Sequence, residues 1–130
     1  MNGFSLTSLY NRYINHRTLW VYVVCIVLLV VLPINGAKKL NDIMVIRIRG
    51  DYLMHMLLFL PWAGFWKVYR PAPGVWVLAG LLFGTGMEGL QYLLPYRAFN
   101  INDMVANGMG VLTGSFICLI FAKFNQTRVP

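Results

Sequence analysis

Charge is what this chain has least of. Charged residues make up 12% of its 130 positions, and only four of them are acidic, where an ordinary soluble domain carries about 25% charge. Hydrophobic residues fill 58%, above the roughly 45–50% of such domains. A soluble fold this short would leave too much of that apolar surface in water, so the composition points to a membrane protein. Cysteine is almost as scarce. Cys25 and Cys118 each sit inside an apolar run, and without a CxxC or a Cys/His cluster there is no basis for a disulfide framework or a cysteine zinc site. Internal repeats, low-complexity tracts and long linkers are missing too, which leaves a single domain over residues 1–130. Nucleic acid is not expected as a partner: the net charge is +7, but the basic residues stand in ones and twos between apolar segments rather than in a patch.

What the chain does have is a series of uncharged runs. They predict an all-α membrane protein, a small bundle of four transmembrane helices at about 18–37, 52–66, 75–94 and 103–121, since runs this long satisfy their backbone in a bilayer only as helices. Pro61 should kink or break the second helix, because it removes one backbone hydrogen bond. Trp20, Trp62, Trp66, Trp76, Tyr92 and Tyr96 fall near the expected ends, as interfacial aromatics do. Gly80 with Gly84, and Gly110 with Gly114, give small-xxx-small faces for close packing and for a homo-oligomer. "NRYINHR" ahead of the first run resembles a signal peptide, but the run is long, Asn35 occupies the third position back from a cut after Ala37, and lysines follow. An uncleaved first helix is expected. Setting Arg49 and Arg97 aside as site residues, the basic loops place both termini in the cytoplasm.

One stretch breaks the apolar pattern: "EGLQYLLPYRAFNINDMVANGMG", residues 88 to 110, holds Glu88, Gln91, Arg97, Asp103 and Asn107. Glu88 and Gln91 share a face near the end of the third helix. Asp103 and Asn107 share one at the start of the fourth, as do Asp51 and His55 at the start of the second. With helices running up and down, all three pairs fall at similar depth, below Arg49 and Arg97 in the flanking loops. Charged groups inside apolar spans cost about 2.5–3.5 kcal/mol each, so they turn into the bundle and find partners. The bland alternative is that Asp51 and Asp103 are helix caps and His55 bonds a backbone group.

The ordered set Asp51-x3-His55, Glu88-x2-Gln91, Pro95-x-Arg97 and Asp103-x3-Asn107-Gly108-x-Gly110 with Gly114 resembles the VanZ-like family of small bacterial membrane proteins. The resemblance covers about residues 49 to 114. Tyr52 stands where the family commonly has Lys, and Tyr96 where it has Gly. The family's namesake is linked to low-level resistance to the glycopeptide teicoplanin, so a part in that resistance is what the resemblance implies.

Three functions compete. In the first, a polar intramembrane pocket binds a lipid head group or an amphiphilic compound of the cell envelope. Arg49 and Arg97 hold its phosphate or carboxylate, while Asp51, Gln91 and Asn107 orient it. In the second, an intramembrane hydrolase or transferase acts on a lipid-linked substrate, with His55, Glu88 and Asp103 as its acid–base residues. In the third, the polar set only staples the small bundle together, and the protein is a partner subunit. Membrane lipids are the expected partners. No cofactor is assigned and no metal, because one imidazole with carboxylates would suit several metals or none.

Overall fold

The computed structural model describes residues 13–33, 44–45, 48–97 and 99–126. The expected continuation of the first helix to Ala37, and the basic residues Arg12, Lys38, Lys39, Arg47 and Arg128, lie outside them. Helix α1, His16–Val31, starts at a reciprocal cap. The Asn15 side chain accepts the Thr18 N–H at 3.1 Å and the Thr18 hydroxyl accepts the Asn15 N–H at 3.0 Å, which satisfies donors that a helix start leaves free. Two short strands, β1 (Met44–Val45) and β2 (Ile48–Arg49), pair antiparallel. This pair departs from the purely helical expectation, and it leads directly into α2, Gly50–Phe59.

The interruption near Pro61 takes the form of a change in helix type. From Leu60 to Phe65 the chain winds as a 3-10 helix, followed by the one-turn α3, Trp66–Tyr69, which ends at Arg70 in the left-handed conformation with φ 48. In a 3-10 turn each N–H reaches back three residues, and Pro61 has none to offer the Leu58 carbonyl. That carbonyl instead accepts the Tyr22 hydroxyl at 2.6 Å, which ties α1 to α2. Helix α4, Pro73–Tyr92, opens on a proline, where no N–H is needed. Helix α5 is Ile101–Gln126.

Among the described residues, one helix is long and apolar enough to cross a bilayer, over Ile101–Phe124. The 16 residues of α1 are apolar but rise only about 24 Å, short of a hydrocarbon core of about 30 Å.

The core is aromatic. Trp62 and Trp76 were expected at the membrane interface; both are buried instead, stacked with centroids 4.7 Å apart. Each indole N–H donates to the other residue's carbonyl at 3.0 Å, so both polar tips are satisfied without reaching a water boundary. Trp20, Trp66, Tyr92 and Tyr96 do remain exposed. The glycines explain how the helices come so close. A Cβ on Gly80 would strike the Trp62 indole, and Cβ atoms on Gly110 and Gly114 would strike the carbonyl oxygens of Met56 and Leu60. Helix α5 therefore crosses α2 and the 3-10 segment backbone to backbone. Since Gly80, Gly84, Gly110 and Gly114 are all buried within one chain, a homo-oligomer would have to use other surfaces.

Candidate functional site

The crossing at Gly110 and Met56 sets the position of His55, the residue before Met56, opposite the first turns of α5. Asn107 lies three residues before Gly110 and Asp103 four before Asn107, on the same helical face. His55 Nδ1 is 3.0 Å from Asn107 Oδ1, and its Nε2 is 3.6 Å from Asp103 Oδ2. Helix α4 completes the cluster. Gly84 has no side chain to hold α5 away, and a Cβ there would meet Asn107 Cβ at 3.0 Å. The Asn107 amide consequently reaches across to donate to the Gly84 carbonyl at 3.2 Å and to Glu88 Oε1 at 3.3 Å.

Glu88 is 0% exposed and Asn107 1%. Glu88 Oε1 lies 3.7 Å from His55 Nδ1. Its other oxygen, Oε2, is buried without a hydrogen-bond donor; the Asn100 backbone N–H lies beside the carboxylate but makes no full hydrogen bond to that atom. His55 and Asp103 are less completely covered than Glu88, with side chains 19% and 12% exposed, so what access the cluster has is on their side.

Asn107 is the hinge of this arrangement. Both its amide protons are committed to acceptors on α4, so the atom facing His55 is its oxygen, and His55 Nδ1 must carry the proton that bonds to it. Asp51 shares a helical face with His55 but does not bond to it. It is paired elsewhere: Arg49 Nη2 donates to Asp51 Oδ2 at 2.7 Å and the Tyr52 N–H to Oδ1 at 3.0 Å. The Arg49 guanidinium also lies 5.0 Å from the centre of the Tyr52 ring, at the rim of the cluster.

The remaining expected site residues divide. Gln91 is buried on α4, one turn beyond Glu88. Arg97 turns away to α1, where Nη2 donates to the carbonyls of Leu29 and Leu32 at 3.1 and 2.9 Å, next to a bond from the Tyr96 hydroxyl to the Val31 carbonyl at 2.6 Å. These groups cap the carbonyl end of α1, where a cation also suits the helix dipole. Two contributors escaped the sequence reading. Asn100 accepts the Asn102 N–H at 3.0 Å and donates to Asp103 Oδ1 at 2.9 Å, and Asn102 donates to the Tyr52 hydroxyl at 3.1 Å. The first of these was legible as an Asn three residues ahead of an Asp at a helix start, the pattern of a cap. With Asn100 as the cap, Asp103 keeps Oδ2 for His55.

The geometry thus defines a small helical protein with a segment suited to a bilayer and a mixed imidazole–carboxylate–amide cluster where three helices meet. The VanZ/LLP1 family model matches residues 18–122, and the chain belongs to the VanZ-like family. No curated protein and no solved structure gives a match to the chain.

Proposed function

We propose that this protein is a multipass component of the bacterial cell envelope whose polar cluster binds the head group of a lipid or an amphiphilic envelope compound. The observation that carries this reading is the asymmetry of the cluster: Glu88 is fully buried with one oxygen lacking a donor, while His55 and Asp103 stand partly open beside it. Polar groups held at the end of apolar helices are costly unless they serve a partner or a function. Asp103 and His55 would meet hydroxyl or ammonium groups of the ligand. Arg49, at the rim with its side chain 38% exposed, would meet its phosphate or carboxylate. Arg97 supports this pocket indirectly, by holding α1 to the α4–α5 connection. The cluster faces away from the cytoplasm in this proposal, with both termini inside, and we extend it to a contribution to teicoplanin resistance by analogy with the family's namesake.

Mass spectrometry of lipids that co-purify with the full chain tests the reading. The wild type should retain a defined amphiphile that Asp103→Asn and Arg49→Gln lose by roughly tenfold, equivalent to about 1.4 kcal/mol. Identical lipids at identical occupancy in all three proteins would overturn it. The alternative reading, an enzyme acting on a lipid-linked substrate, draws on His55 lying between Glu88 and Asp103 at 3.7 and 3.6 Å, a spacing suited to proton transfer through one water. That reading requires turnover of a lipid-linked substrate by the wild type and its loss in His55→Ala; a purified wild type without turnover removes it.

A further inference from the structure

We infer that His55, Glu88 and Asp103 form a binding site for one divalent first-row metal ion, an inference independent of which amphiphile the pocket holds. One ligand atom from each of the three residues lies within 4.8 Å of the others. Proximity alone is weak, since acidic groups gather for many reasons. Two further observations point to a cation. The first is the orientation of the imidazole: Asn107 takes the Nδ1 side of His55, so Nε2 is the nitrogen that faces Asp103 Oδ2, at 3.6 Å, and in the neutral ring that nitrogen carries the lone pair. Two acceptors facing each other across that gap repel unless a positive centre lies between them. Ligands about 2.1 Å from a tetrahedral metal stand roughly 3.4 Å apart, close to the separation found. The second is Glu88, wholly buried and with Oε2 lacking a donor. Bringing its carboxylate onto the same ion asks for a movement of about 1–1.5 Å on that geometry.

Charge balance agrees. Arg49 is committed to Asp51 at 2.7 Å and Arg97 to the carbonyls of α1, so neither arginine is bonded to Glu88 or Asp103. A divalent ion would balance two ionised carboxylates beside a neutral imidazole, one of the ways a buried set of this kind reaches neutrality. One nitrogen and two carboxylate donors suit Zn²⁺, Mn²⁺ or Fe²⁺ better than soft ions that need thiolates. Asn107 is the positioning residue, orienting the imidazole as outer partners do at metal-binding histidines. Three protein ligands leave a coordination position free on the open side of the cluster for water or a ligand oxygen.

The test uses full-length protein in which Cys25→Ser and Cys118→Ser remove thiols as competing ligands, stripped with chelator and titrated with Co²⁺ and Zn²⁺. Elemental analysis should give one Zn²⁺ per chain. Co²⁺ should produce visible absorption bands that Zn²⁺ displaces. His55→Ala and Asp103→Asn should abolish both signals, and Asn107→Ala should weaken affinity by roughly 10–100-fold. His16→Ala, at an exposed histidine on α1, should change neither. A wild type that takes up no stoichiometric metal overturns the inference whatever the variants do, leaving a second proton on His55 to fill the gap. Binding that survives both His55→Ala and Asp103→Asn overturns it as well.

Discussion

Replacing Asn107 with alanine removes both donors that tie α5 to α4 and the acceptor that orients His55. Its cost can be worked from the contacts. Hydrogen bonds between helices in a bilayer average about 0.6 kcal/mol and reach about 1.7, while bonds to charged groups run about 1.5–3 kcal/mol. The bond to the Gly84 carbonyl belongs in the first class. The bond to Glu88 belongs at the top of either, because this carboxylate is 0% exposed and its other oxygen already lacks a donor. Asn107→Ala should therefore destabilise the protein by about 2–3 kcal/mol. The informative measurement is the double-mutant cycle with Glu88→Met, which takes the buried carboxylate away. In that background Asn107→Ala should cost only about 1 kcal/mol, a coupling of about 1–2 kcal/mol. Reversible unfolding in mixed micelles of detergent and lipid gives all four free energies. Additivity within about 0.5 kcal/mol would refute the reasoning, since it would mean that Asn107 and Glu88 do not meet in the folded chain.

Gly110→Ala should cost about 1–3 kcal/mol by overpacking, because its Cβ would press on the Met56 carbonyl, whereas Gly86→Ala, with open space around it, should be neutral or gain up to about 1 kcal/mol of helix propensity; the same unfolding assay compares them. Tyr22→Phe should lose about 1–2 kcal/mol and leave the Leu58 carbonyl without its donor, and Tyr22→Phe with normal stability would contradict the link between α1 and α2. Arg97→Gln should loosen the end of α1, read as faster hydrogen exchange near Leu32, while retention of any co-purifying lipid stays closer to wild type than in Arg49→Gln.

The helical reading of the runs around Trp20, Leu82 and Leu112 followed from their length and lack of charge, and the spacing of Asp103 with Asn107 and of Glu88 with Gln91 placed each pair on a face. Their convergence with His55 followed from alternating chain direction. What could not be read is everything that depends on how closely two helices cross. Gly110 and Gly114 identified a packing face but not its partner, and only the contact with Met56 and Leu60 determines that Asn107, not Asp51, bonds to His55. The same holds for Trp62 and Trp76. An indole near a helix end has the look of an interface residue; it becomes core here because Gly80 makes room for it and each ring finds a carbonyl on the other's backbone. Arg97 was legible as a cation in a connecting loop, but the free carbonyls at the end of α1 that claim it are 65 and 68 positions away in sequence.

The most direct measurement is an experimental structure of the full chain crystallised from its native lipids. The account predicts ordered ligand density touching His55 and Asp103, with Arg49 at its edge and Glu88 behind it. Density confined to acyl chains along the outer helix faces, with these side chains closed on one another, would contradict it.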